Sequence, residues 1–257
     1  MNALQSIFPH ATQRSFRSLF GVTPTQFQRI HSLINSHPYF FSERHLMWCL
    51  CFLKTYNTID VLHIMFNTTW ENMRNTIWAV LKALNERLPN FISDWESVPY
   101  YTLTPNKRVV GIVDATECYI CRPSKNQEEV YSGNEKCHTL KYNVIISVDG
   151  KTILRMDGPY AGSEHDVTML HESGVLNSLR SRQVLMGDKK YIGDSRLLSE
   201  YFVAFQSLGQ FRRIRVRVEH VIGSLKHFAV LSGTWRNDFD QHEMVALVIG
   251  KLYNFTQ

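Results

Sequence analysis

Apolar positions recur at helical spacing over residues 1 to about 95 and in short β-branched runs beyond about residue 107. Phe16, Leu19 and Phe20 begin an apolar stripe, and Thr23 ahead of Pro24 predicts an N-cap with proline at the first helical position, opening a helix through Ile34. ERHLMWCLCFLKTY predicts a buried helix and TIDVLHIMFN a short apolar segment, after which Thr68 or Thr69 caps WENMRNTIWAVLKALNERL. There Trp70, Met73, Ile77, Val80, Leu81, Leu84 and Leu88 form one apolar face, while Asn72, Arg74, Asn75 and Lys82 lie on the other. A short helix, an Asn/Thr turn and a longer helix with an amide-rich face predict a helix-turn-helix whose second helix enters the major groove. Asn and Arg suit adenine and guanine edges, but a plain helical bundle with a solvated face fits the same residues, and both readings stay open.

Turn-forming residues then cluster in SDWESVPYYTLTPNKR, with Pro99 and Pro105, which predicts a linker over 96–107 between a helical domain at 1–95 and a second domain at 108–257. In that second domain KRVVGIVDAT, KYNVIISVDG and KTILRMDGPY predict strands, the last two joined at Asp149-Gly150 as a hairpin. The helix SEHDVTMLHES, the strand QVLMGD, the helix RVRVEHVIGSLKHFAVL and the amphipathic HEMVALVIGKLYNF follow. A meander followed by alternating helices and strands predicts a mixed α/β sheet flanked by helices.

Composition narrows the class without fixing it. A chain of 257 residues that is 44% hydrophobic and 12% aromatic has enough apolar material to pack, which argues against disorder over most of its length. No apolar run reaches the roughly 18 residues of a membrane span and no secretory core is visible, so a soluble intracellular protein is expected. Arg14 and Arg17 in an N-terminal stretch without acids leave an organelle presequence open. The five cysteines, Cys49, Cys51, Cys118, Cys121 and Cys137, are odd in number and irregular in spacing, unlike a disulfide framework. A zinc site could be drawn from Cys118, Cys121, Cys137 and His138, but CYICRP reads as a strand, on which residues three apart point to opposite faces. The net charge of +5 suits a polyanionic partner, and Arg212, Arg213, Arg215 and Arg217 concentrate it at the start of one predicted helix.

The candidate chemistry is acidic. Asp114 ends VVGIVD and Asp188 ends VLMGD, so each carboxylate emerges from a buried strand, where a rigid sheet can aim hard oxygens at one point. Strand-ending aspartates are also ordinary turn residues. Glu219 lies inside a helix between Val218 and Val221, with Arg215 four residues before it and Lys226 seven after, all close to one face. A surface ion-pair ladder is the alternative. Asp166, beside His165 in GSEHDV, sits in a first helical turn, which the helix dipole favours for an acid in any case.

In this order VDAT, GPYAGSEHD, GDKKYIG and RVRVEHVIGSLKHF resemble the DDE superfamily of transposases, most closely its Harbinger-like and IS5-like branch. The resemblance covers about Arg108 to Leu231, and Arg215, Glu219 and Lys226 match the helix signature of the bacterial relatives. It implies an RNase H-like fold with the first Asp on the first strand, the second after the fourth strand and the Glu on a later helix. It further implies a DNA endonuclease and strand-transferase in which Asp114, Asp188 and Glu219 hold two Mg²⁺ or Mn²⁺ ions, Asp166 serves as a supporting or alternative ligand, and Lys226 and Arg215 hold the DNA backbone. The implied partners are double-stranded DNA (transposon ends and target), a further copy of the chain in a homo-oligomer, and a Myb-like DNA-binding protein; a eukaryotic host would imply the nucleus. Three departures stand out: Arg212 occupies the position of a usual aromatic, Lys190 replaces a commoner glycine, and the stretch between Asp188 and Glu219 is short. A domesticated or decayed copy that binds without cutting, and a cellular metal nuclease, are the competing functions.

Overall fold

The structure is a computed structural model that describes residues 12–257 apart from 36–39, 93 and 105. Most of the N-terminal stretch weighed as a presequence, residues 1–11, lies outside the described residues. The chain divides into two compact units, one made of Met1–Pro89, Lys226–Gly233 and Asn237–Thr256, the other of Asn90–Leu225 and Thr234–Arg236.

The first unit is helical: α1 (Gln13–Phe20), α2 (Pro24–Ile34), α3 (Glu43–Thr55), α4 (Ile59–Met65) and α5 (Trp70–Arg87), with α9 (Ala229–Ser232) and α10 (Phe239–Phe255). Thr23 forms a capping box with Gln26 ahead of Pro24, so two otherwise unpaired N–H groups are satisfied reciprocally. α3 is buried on every side from Leu46 to Leu53, which makes it the centre of the unit. Thr69 caps α5, on which Met73, Ile77, Val80, Leu81 and Leu84 are buried, whereas Trp70, assigned to that apolar face from spacing, is 45% exposed at the first turn. α10 completes the core with Val245, Val248, Ile249 and Leu252, and its Lys251 ammonium donates to the Asn85 carbonyl at 2.7 Å. The reading from spacing placed α10 in the second domain; its apolar residues group instead with the N-terminal helices.

The second unit is built on a mixed sheet of β1 (Tyr101–Thr104), β2 (Lys107–Tyr119), β3 (Tyr131–Ser132), β4 (Cys137–Ile146), β5 (Ile153–Ala161), β6 (Gln183–Met186) and β7 (Leu197–Leu198). The order β5-β4-β2-β6-β7, with β4 antiparallel to β2 and β5, and with β6 and β7 parallel to β2, is that of the expected RNase H-like fold. The β4–β5 turn contains Gly150 at φ 78°, a left-handed conformation that glycine adopts without strain. After β5 come α6 (Asp166–Glu172) and α7 (Val175–Ser178), which return the chain to β6. α8 (Leu208–Lys226) follows two short 3₁₀ turns. Val113, Ile145, Leu154, Leu170, Val175, Leu185 and Leu197 form a common core; each such buried side chain contributes roughly 1.5–3 kcal/mol. Trp95 and Val98 join this core and β1 pairs with β2, so the stretch expected to be a linker over 96–107 is largely part of the sheet unit. Its turn-rich composition hid a four-residue strand.

Candidate active site

Parallel register brings the first two carboxylates together. Ile112 of β2 pairs with Met186 of β6, and Asp114 and Asp188 each lie two residues further on, so neighbouring strands deliver them side by side. Asp114 is partly buried, and its Oδ1 accepts the Ala115 N–H at 2.9 Å. Burial, first, and the charges of Asp188 and Asp166 raise its pKa to about 6, against the opposing pull of the Ala115 N–H and Arg215. Asp188 Oδ1 accepts the Lys190 N–H at 2.7 Å, an Asx turn that reverses the chain.

Under this turn lies Tyr191, almost wholly buried. A Cβ on Gly187 would stand 2.7 Å from the Tyr191 ring, so the ring can pack there only against glycine. The Tyr191 hydroxyl donates to Asn143 Oδ1 at 3.3 Å, and burial together with Asp166, Asp114 and Asp188 holds its pKa well above the ordinary phenol value. It therefore stays a protonated donor beneath three acids.

Asp166 opens α6 and is buried. Lys141 Nζ lies 3.6 Å from its Oδ1 and Lys190 Nζ 3.7 Å from its Oδ2. Lys141 also stands 3.7 Å from Glu117 and donates to the Glu164 carbonyl at 2.8 Å. A buried lysine shared by two carboxylates and a carbonyl meets the condition under which an interior charge is tolerated.

Glu219 is placed differently. Its side chain is 45% exposed, and Arg215, one turn earlier on α8, holds its Oε1 at 2.6 Å. Arg215 acts on Asp114, whereas Glu219 is not among the charges that shift it. The structure thus brings Asp114, Asp166 and Asp188 into one electrostatic neighbourhood and joins Glu219 to it through Arg215. Among the described residues no group of three or more His, Cys, Asp or Glu side chains is gathered closely enough to hold a metal ion. The donors nevertheless suit a hard divalent cation in kind. Asp114 and Asp188 offer carboxylate oxygens with no ion pair among the described residues, and burial, more than the neighbouring acids, raises the pKa of Asp114. Asp166 and Glu219 offer the same oxygens, already engaged by protein cations.

Of the candidate phosphate contacts, Arg213 is exposed, Arg212 is exposed and pairs with Glu200 at 3.4 Å, and Lys226 ends α8 two turns beyond Glu219. Arg217 is committed elsewhere: its guanidinium donates to the Val148 carbonyl and lies over the Tyr101 ring. On α5, Arg74 and Asn75 are exposed, while the Asn72 amide donates to Thr68 Oγ1 at 2.8 Å. The cysteines are all free thiols, and among the described residues they form no metal-binding group; Cys118 is buried on β2, while Cys121, past the end of that strand, is exposed.

Lys141, Asn143 and Tyr191 had no role in the reading of the sequence. The first two were visible as polar residues at alternate positions of the apolar run KYNVII, a pattern that puts them on one buried face.

The family model for the DDE superfamily endonuclease matches residues 113–254, a span that contains all four carboxylates. A probable transposase for insertion sequence element IS702 from Microchaete diplosiphon is 29% identical over 164 residues, covering 59% of this chain and 58% of that protein's length. No solved structure gives a significant match.

Proposed function

Because the chain belongs to the DDE superfamily endonuclease family, we propose that it cuts and joins DNA strands as a transposase, with Asp114 and Asp188 at the centre of a divalent-metal site. The observation that carries this reading is the parallel register that sets the two aspartates side by side, one of them with a pKa raised to about 6. Mg²⁺ or Mn²⁺ would be held by Asp114 and Asp188, with Asp166 and Glu219 as further ligands once their protein cations let go. Bound there, two such ions would supply activation of the attacking oxygen and stabilisation of the leaving one in an in-line displacement at phosphorus.

The rest of the work falls to the chain. The Asx turn at Asp188 leads into Tyr191, whose hydroxyl ties this segment to Asn143 of β4, the residue paired with Ala115 of β2. Arg215, Arg212, Arg213 and Lys226 offer cations to the DNA backbone along α8, contacts that position a duplex without reading its sequence. In the helical unit, α4, the turn and α5 would supply sequence contacts through Arg74 and Asn75. We extend the same reading to the domain plan, a helical DNA-binding part followed by an endonuclease part, to the IS5-like or Harbinger-like branch, to a homo-oligomeric active form, and to a separate Myb-like protein that would supplement DNA recognition. The likeness to the IS702 protein supports transposition as the biological setting.

The test is nicking of a duplex that carries the inverted repeats flanking the gene, in Mn²⁺. Wild type should nick at the repeat ends, and Asp114→Asn and Asp188→Ala should each lose at least about 100-fold in rate, since metal-ligating groups act as a unit. Nicking that survives Asp188→Ala would remove the site proposed here, and no nicking by wild type would favour a chain that binds DNA without cutting it.

A further inference from the structure

The cations around the acidic centre are not equivalent. Lys141 is only 10% exposed and is fixed by the Glu164 carbonyl and by Glu117. Lys190 is 54% exposed, and its ammonium lies 3.7 Å from Asp166 Oδ2, beyond hydrogen-bonding distance. Its backbone, by contrast, is tied to Asp188 at 2.7 Å. The stem of Lys190 is therefore anchored beside the aspartate pair while its head is free to swing on four methylenes. That head also borders a cleft of about 570 Å³ whose wall includes Ser132, Asn134, Lys141, His165 and Asp166. Lys141 and Lys190 stand in its wall together with Glu164 and Asp166.

We infer that Lys190 is a transferable counter-ion: it neutralises Asp166 when no divalent ion is present, and on metal loading it leaves Asp166 for a phosphate of a DNA strand in this cleft. The inference rests on the metal site proposed at Asp114 and Asp188. Its physical basis is charge balance. Asp188 and Asp166 both bear on Asp114, and a divalent ion placed beside these acids repels an ammonium held at Asp166. A flexible cation expelled from an acid, with its stem held in place, finds the next anion within reach. Metal and DNA then bind cooperatively, because each removes a competitor of the other.

Two readouts on the full chain separate this from a passive surface pair, with Lys190→Met as the variant because it keeps the length of the stem. Without DNA, Mn²⁺ binding followed by the loss of the free-ion electron paramagnetic resonance signal should become roughly 3- to 10-fold tighter in Lys190→Met, since a competing cation has gone. With duplex DNA and Ca²⁺, the slope of log affinity against log salt should fall by about 1 in Lys190→Met and stay unchanged in Lys190→Arg. In EDTA the slopes of wild type and Lys190→Met should coincide. Mn²⁺ binding that is unchanged or weaker in Lys190→Met, or an unchanged slope in Ca²⁺, overturns the inference. Asp188→Ala distinguishes its failure from that of the site itself. If Asp188→Ala binds Mn²⁺ as wild type does, or wild type binds none, both fall; if Asp188→Ala abolishes binding and Lys190→Met changes nothing, only the role of Lys190 falls.

Discussion

Replacing Asp114 by asparagine should make the protein more stable while abolishing its proposed activity. Asp114 has a pKa of about 6 in the fold against 3.8 for the free side chain. The folded chain therefore keeps a proton between about pH 4 and 6 that the unfolded chain releases. For a carboxylate shifted upward, stability from this group is greatest below about pH 4 and is lost as pH rises through about 6. A shift of about two pKa units corresponds to about 3 kcal/mol of cost at neutral pH, an upper figure because the side chain keeps some contact with water. Asparagine has nearly the same shape and cannot ionise, so it escapes the cost. Urea unfolding in EDTA should give Asp114→Asn an advantage of about 1–3 kcal/mol at pH 7.5, shrinking to roughly a third of that at pH 4.5; the difference between variant and wild type cancels groups that titrate alike in both. A variant that is no more stable at pH 7.5, or an advantage that does not shrink with falling pH, would refute the reasoning. Added Mn²⁺ should reverse the ranking, because only wild type gains binding free energy from an ion that meets the unpaired charge.

Other perturbations probe the support beneath the acids. Gly187→Ala should cost about 1–3 kcal/mol by thermal unfolding, because its Cβ would meet the Tyr191 ring at 2.7 Å, and it should weaken Mn²⁺ binding by shifting Asp188. Lys141→Met should cost about 3–5 kcal/mol in the same assay by leaving Glu117 and Asp166 buried without their shared cation, whereas Lys190→Met, at a half-exposed site, should change stability by less than about 1 kcal/mol. Arg217→Ala should lower thermal stability by about 1–2 kcal/mol through loss of the Val148 carbonyl contact, while leaving the salt dependence of DNA binding unchanged.

Most of the sheet was legible because its strands contain β-branched runs bounded by turn residues. Asp114 and Asp188 were legible because each closes an apolar run, although β2 itself continues past Asp114 to Tyr119, so Asp114 sits within its strand and only Asp188 lies beyond one. The parallel pairing that sets them side by side was not, since register between strands separated by a hairpin and two helices leaves no local trace. Period-based reading failed where tertiary partners decide. Trp70 fits the apolar spacing of α5 yet lies at the exposed first turn, and Tyr101–Thr104 reads as linker yet pairs with β2. The helix α10 was legible as an element but not as a member of the helical unit, because its apolar face would suit either unit. Glu219 was found from its signature spacing; that its carboxylate is held by Arg215 follows from side-chain geometry, which sequence spacing permits but does not dictate.

The most direct test of the metal centre is a crystal structure of the full chain grown with Mn²⁺ and a terminal-repeat duplex, read by anomalous scattering at the manganese edge. Anomalous density between Asp114 and Asp188, with Lys190 turned from Asp166 toward a phosphate, is the expected result; manganese bound elsewhere, with the two aspartates bare, would contradict it.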